Sequence, residues 1–189
     1  MKPIIFSTPM VRAILEGRKT QTRRVIKING CPITSPKESL ELTKEGLIYH
    51  SFCSMSGYYK PLCQPGDILW VREAWSEHQE YYNNSAKVFA EPHYIYKADG
   101  VYANKWRPSI HMPREAARIF LRVTNVRVER LQAITYDDCL REGLWDYGTD
   151  VDTLAAFQEL WQNLNAKRGY GWEINPWVWV IEFERESEL

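Results

Sequence analysis

Apolar and polar positions along this 189-residue chain alternate with a period of two in most ordered stretches, and with the helical period in three others. The clearest alternation runs from Ile119 to Leu131. There Phe120, Arg122, Thr124 and Val126 fall on one face and Ile119, Leu121, Val123 and Asn125 on the other, which predicts a long strand. Pro3–Phe6 reads as a short buried strand, and Thr20–Ile28 as a strand polar at its start and alternating through Val25, Ile26 and Ile28. The turn Pro65-Gly66-Asp67 feeds an apolar strand at Ile68–Val71, which Arg72–Trp75 carries into polar territory. Tyr94–Lys97 is a strand stopped by Asp99-Gly100, and Pro176–Phe183 is apolar enough to sit centrally in a sheet.

The helical stretches are shorter. Thr8 stands as a cap with Pro9 at the first position, Met10, Val11, Ile14 and Leu15 form one stripe, and Gly17 ends the helix. Thr135 and Asp138 have the spacing of a capping box, with Gly143 closing that helix. Val151–Lys167 is amphipathic through Leu154, Phe157, Leu160, Trp161 and Leu164. Two regions carry no sustained pattern: about 29–64, with a hairpin expected near Leu47–His50, and about 78–93. With no repeat, and too few crossovers for a doubly wound sheet, the order predicts a single α+β domain over 1–189. Its architecture is a small mixed barrel with flanking helices and an insert at about 29–64.

Charge narrows the partners. The formal net charge is zero, so a grip on long nucleic acid has to come from a local basic patch. Aromatic residues are 13% of the chain, enough for stacking surfaces as well as core. No apolar run approaches the roughly 20 residues of a membrane span, and Met1–Phe6 is too short and too soon polar for a signal peptide. The expected place is the cytoplasm, with reduced thiols. Cys31, His50, Cys53 and Cys63 share one segment and mix zinc-type ligands, but they form no paired Cys-x-x-Cys knuckle. They read as unrelated residues of a variable loop, with no metal, while Cys139 reads as packed core.

The densest chemistry lies in Gly17-Arg18-Lys19-Thr20-Gln21-Thr22-Arg23-Arg24. Lys19 and Thr22 form a possible base and nucleophile, with Arg18, Arg23 and Arg24 as cations able to lower the lysine pKa. Residues three apart on a strand face opposite sides, so the pair converges only if the chain bends after Gly17; otherwise the run is a solvated basic turn. Glu142 precedes a helix C-cap, where the dipole disfavours a carboxylate, so it is either plainly exposed or held there for another use. Asp67 and Glu73 flank the Trp70 strand, and Glu73 is placed to pair with an arginine near residue 23. The proline-framed loop Trp106–Arg114 carries Ser109, His111 and Arg114 without a partnering carboxylate. It reads either as a loop that shapes a ligand site, with His111 and Arg114 near a phosphate or base edge, or as structure alone. Trp70, Trp75, Tyr96 and Trp106 are the aromatics nearest these loops. Arg23, Arg24, Glu73, Trp75, His111 and Arg114 are the substrate-binding candidates.

Gly17-x-Lys19-x-x-Thr22-x-Arg24 after a short helix resembles the ASCH family signature, a Gly-x-Lys followed by Glu or Thr and then Arg. Pro65–Val71 resembles the turn and strand that follow it in such domains. Met1–Thr22, Trp70–Trp75, Ser109–Arg114 and Asn175–Val180 resemble ASCH-containing proteins of bacteriophages and prophages, leaving only about 29–63 and 78–93 uncovered. The resemblance implies a PUA-like fold, a small β-barrel with helices associated with RNA binding, and a bacterial host cytoplasm if phage-encoded. Some small bacterial ASCH proteins are amidohydrolases that deacetylate N4-acetylcytidine without a cofactor. Their lysine, threonine and glutamate fall on Lys19, Thr22 and Glu142. Carried over, Lys19 deprotonates Thr22 for attack on the acetyl carbonyl, Glu142 passes a proton to the leaving amine, and Arg24 or a backbone amide holds the oxyanion. The chain is nearly twice the length of those enzymes. The family alternative is a module binding RNA or single-stranded nucleic acid through Lys19, Arg23, Arg24 and Arg114, or a ribonuclease.

Overall fold

The computed structural model describes residues 1–28, 31–33, 39–43, 48–52, 55–78, 93–145 and 147–186. In chain order the opening elements are β1 (Lys2–Ile5), α1 (Thr8–Leu15), β2 (Gln21–Val25), β3 (Lys27–Ile28) and β4 (Cys31–Pro32). The insert holds β5 (Ser39–Leu42), β6 (Ile48–Phe52) and β7 (Met55–Tyr59), and β8 (Ile68–Arg72), β9 (Trp75–His78) and β10 (His93–Tyr96) follow. The chain ends with β11 (Phe120–Arg130), α2 (Tyr136–Arg141), α3 (Asp150–Asn165) and β12 (Trp177–Glu186).

The fold is α+β, built on a five-stranded mixed sheet of order β1-β8-β11-β12-β2. β1 runs parallel to β8, and the other neighbours are antiparallel. β12 sits between β11 and β2, as its apolar run predicts, and both its faces are covered. Trp179, Ile181 and Phe183 pack toward α1 with Ile4, Val11, Leu69 and Leu121. Val178 and Val180 pack toward α2 and α3 with Leu131, Cys139, Phe157 and Trp161. Period-two alternation in a strand buried on both sides therefore feeds two separate cores.

The expected barrel does not close. β1 and β2 are the two edges of the sheet and form no backbone ladder with each other. A side chain spans the seam instead: Arg24 Nη2 donates to the Ile5 carbonyl at 2.7 Å. Residues from both edges line a cavity at this seam.

Three sequence expectations change. In β11 the alternation breaks at a register shift between Val123 and Asn125, which turns Val126 inward although it shares a phase with exposed Arg122 and Thr124. The insert holds more than the hairpin expected near Leu47–His50, of which Leu47 lies outside the described residues: β5, β6 and β7 form an antiparallel sheet with Tyr49 paired across to Tyr58, their rings 5.2 Å apart. Leu40 is buried in the core and Tyr59 packs against it, and strands of four and five residues show no long alternation. Arg72–Trp75 is not one strand. β8 stops at Arg72, and Trp75 starts β9, which pairs with β10 around a small cluster of Trp75, Met112 and Ala116. The patternless stretch at about 78–93 lies, except for its strand ends, outside the described residues. At the first helix the N-cap is Ser7 rather than Thr8, with no side-chain capping bond.

Among the described residues, no helix is long and apolar enough to cross a membrane.

Candidate functional site

Gly17 adopts φ 76°, the left-handed conformation that ends α1 and turns the chain toward β2. Lys19 then makes an isolated antiparallel bridge with Glu142, and the Thr20 N–H donates to the Arg141 carbonyl at 2.8 Å. Two segments more than a hundred residues apart are thereby clamped backbone to backbone. Gly143, at φ 92°, completes the clamp: a Cβ there would lie 2.9 Å from the Cβ atoms of both Ala13 and Lys19. Position 143 is glycine for two reasons, the left-handed backbone and the close approach of α1.

Inside the clamp, the Lys19 ammonium is enclosed and all three of its donors are used. Nζ lies 2.7 Å from Glu142 Oε2 and 2.8 Å from the carbonyls of Glu142 and Gln21. Burial lowers the Lys19 pKa from its ordinary value, against the charge and hydrogen bond of Glu142. The other Glu142 oxygen faces Arg23 Nη1 at 3.2 Å. Arg23 continues to Glu129 at 2.6 Å and Asp138 at 2.9 Å, so one guanidinium links three carboxylates. Burial works to lower the Arg23 pKa, but Glu142, Glu129 and Asp138 together hold it raised. Burial pushes the Asp138 carboxyl up, yet hydrogen bonds from Gln21 and the Thr135 N–H, with Arg23 and Arg127, bring it down to about 2. The Thr135–Asp138 capping box forms as its spacing predicts, so Asp138 both caps α2 and anchors the network.

β2 presents this chemistry in alternation. Gln21 and Arg23 point into the network under α2, and Gln21 Nε2 donates to both the carbonyl and the carboxylate of Asp138 at 3.0 Å. Thr22 and Arg24 belong to the opposite face. Thr22 is buried, lines the seam cavity, and among the described residues has no hydrogen-bond partner for its hydroxyl. Glu142 lines the same cavity, whereas Lys19 lies beneath it. The bend after Gly17 therefore brings Thr22 and Glu142 to one space, with Lys19 behind Glu142 and not hydrogen-bonded to Thr22. Glu142 is not a plainly exposed helix-end glutamate. The dipole penalty at the end of α2 is met by two cations.

The cavity, open on one side, has a volume of about 420 Å³. Phe6, Phe157 and Trp161 supply flat apolar walls, and Arg24, Lys27 and Arg168 supply cations. Arg24 also lies over the Phe6 ring at 5.2 Å. Of the residues lining the cavity, the proline-framed loop contributes Ser109.

Four substrate-binding candidates lie elsewhere. Glu73 is buried against Arg118, at 2.9 and 3.1 Å, and not against an arginine near residue 23. Burial raises its pKa, with Arg118 opposing. Arg118 also holds Asp99 and stacks 3.9 Å over Tyr96, so this cluster ties the segment after β8 to the end of β10. Trp75 is core of the β9–β10 unit. His111 is exposed on a short 3₁₀ turn, and Arg114 is exposed with its guanidinium 3.0 Å from Met1 Sδ. Polar residues on short loops carry no periodicity, so their direction was not readable from spacing.

Lys27, Asn165, Arg168 and Tyr170 line the cavity unforeseen. One signal was present. Trp161, Leu164, Asn165 and Arg168 are spaced i, i+3, i+4 and i+7, an apolar stripe that turns polar on one helical face. Of the cysteine set, Cys53 lies outside the described residues and Cys63 is buried. Among the described residues no group of three or more His, Cys, Asp or Glu is placed to hold a metal. Cys139 is buried in the core as expected.

Compared with models of known protein families, with curated proteins and with solved structures, the chain finds no match.

Proposed function

We propose that this protein is an ASCH-type amidohydrolase that removes the acyl group from an N4-acylated pyrimidine nucleoside, with Thr22 as nucleophile. One observation carries the reading: an unpartnered Thr22 hydroxyl and the Glu142 carboxylate line a single cavity, with a Lys19 of lowered pKa against Glu142. The volume falls within the range of small-molecule sites, and the aromatic walls suit a pyrimidine ring.

The chemistry follows from those groups. Lys19 acts as base once its proton has passed to Glu142 along their 2.7 Å hydrogen bond and one carbonyl contact has been released. Thr22 Oγ1 gives its proton to the neutral amine and bonds to the acyl carbon. The C–N bond then breaks, with Glu142 protonating the departing exocyclic amine. Water hydrolyses the threonyl ester, releasing the carboxylate and restoring the hydroxyl. Arg23 keeps Glu142 aimed at the cavity throughout.

Acetate release from N4-acetylcytidine by the purified protein tests the proposal, with Thr22→Val as the matched control. No release by the wild type, or equal release by Thr22→Val, overturns it. The second reading, an RNA or single-stranded nucleic-acid module, draws on the same cations and aromatic walls. It predicts oligonucleotide binding that weakens steeply with salt. Zero net charge favours the small ligand.

A further inference from the structure

The cavity has two chemically different ends. At one, the charges of Glu142 and Arg23 are matched within the buried network. At the other stand Arg24, Lys27 and Arg168, and among the described residues none of the three has a carboxylate partner. The Arg24 guanidinium has one bond, to the Ile5 carbonyl, while its buried Nε has no acceptor at all. Lys27 is held 5.1 Å over the Tyr170 ring, a contact that orients the ammonium without neutralising it. Burial lowers the Arg24 pKa; the Glu142 charge opposes this, and the nearby positive charge of Arg168 adds to it. Two arginines and a lysine at this end of the cavity, none hydrogen-bonded to a carboxylate among the described residues, suit it to an anionic group.

Position along the chain says which anion. Arg24 is two residues beyond Thr22 on the same strand face of β2, about 7 Å away, and Lys27, at the start of β3, lines the same cavity. A group bound among these cations is thus roughly a nucleoside's length from the Thr22 hydroxyl. Phe6, Phe157 and Trp161 line the same cavity.

We propose that Arg24, Lys27 and Arg168 bind the phosphate of a pyrimidine nucleoside monophosphate, so that the substrate is the nucleotide rather than the free nucleoside. The assignment of the base end rests on the amidohydrolase reading; the phosphate site does not. Phosphate binding to paired guanidiniums and an ammonium is charge-assisted, and such bonds are about twice as strong as neutral ones. A long polyanion fits less well on a protein of zero net charge.

Calorimetric titration with cytidine 5′-monophosphate and with cytidine, neither carrying an acyl group, tests the site apart from turnover. The monophosphate is expected to bind about 30-fold tighter at low salt. That preference should fall to about 3-fold or less in Lys27→Ala/Arg168→Ala. Both side chains are exposed, so the variant should keep the wild-type circular dichroism spectrum. Equal binding of the two ligands, or a preference undiminished in the double variant, overturns the phosphate site. Binding of a single-stranded cytidine oligomer more than tenfold tighter than the monophosphate overturns its assignment to a mononucleotide. Acetate release from N4-acetylcytidine and from its 5′-monophosphate is measured in parallel. Phosphate preference without any acetate release supports the site while overturning the amidohydrolase reading; turnover without preference does the reverse.

Discussion

The pair Lys19–Glu142 is the place where a substitution says most about how the site is held. Replacing Lys19 by methionine keeps the alkyl volume but deletes an enclosed ammonium with three acceptors. The carbonyls of Gln21 and Glu142 lose a donor, and one carboxylate oxygen is left with no cation. Breaking one side of a buried ion pair costs about 3–5 kcal/mol, a large share of the roughly 5–15 kcal/mol that holds a domain folded. Arg23 still faces the other Glu142 oxygen at 3.2 Å, which places the expected loss toward the lower end of that range. Glu142→Leu alone leaves a buried ammonium with two carbonyl acceptors and should cost a similar amount. Arg23 keeps Glu129 and Asp138 in that variant. In Lys19→Met/Glu142→Leu the uncompensated charge disappears from both sides, so the double variant should recover about 2 kcal/mol relative to the sum of the singles. Urea unfolding of the four proteins at pH 7, with unchanged denaturant slopes, measures the cycle. Additivity within about 0.5 kcal/mol would refute the reasoning, because two groups that share a buried hydrogen bond cannot be energetically independent.

Gly143→Ala introduces a Cβ at a left-handed backbone position, 2.9 Å from two other Cβ atoms, and should destabilise by about 2–4 kcal/mol in the same assay. An effect below about 0.5 kcal/mol would show that α1 does not press on this turn. Asp138 has a folded pKa of about 2 against an ordinary 3.8, so its contribution is present above pH 3.8 and is lost as pH falls toward 2. The stability difference between wild type and Asp138→Asn should therefore narrow over that window, and a constant difference would contradict it. Thr22→Val keeps the shape of a residue whose hydroxyl has no partner, so it should leave the unfolding midpoint within about 0.5 kcal/mol of wild type while abolishing acetate release. Glu142→Gln, which keeps the volume and the Lys19 contact, should fold yet lose turnover by at least about 100-fold.

Much of this molecule is legible in one dimension because its signals are local. The alternation of Phe120–Arg130, the capping box at Thr135 and Asp138, the glycine stops at 17 and 143 and the apolar run of β12 each depend on neighbours within a few residues. The Gly17–Arg24 run announced polar chemistry for the same reason: no ordinary strand concentrates charge and hydroxyls this way. The small insert sheet was not legible because its strands of four and five residues are too short to leave a long period. The bulge near Thr124 escaped notice because only pairing with β12 reveals it.

Tertiary structure alone decided which of those residues meet. That Lys19 hydrogen-bonds Glu142 turned on a backbone bridge spanning 123 positions, and pairing at that separation is set by how the sheet and α2 pack, not by spacing. The open seam between β1 and β2 was equally invisible, since a ladder that fails to form leaves no pattern in either strand. From that seam follow the cavity, the unpartnered Thr22 hydroxyl and the meeting of Arg24 and Lys27 with Arg168 from just past the far end of α3. Sequence determined which chemical groups the chain possesses and where its elements begin and end, because those are matters of local sterics and periodicity. Folding determined which groups lost water and found a partner, because burial and Coulomb attraction depend on distance in space.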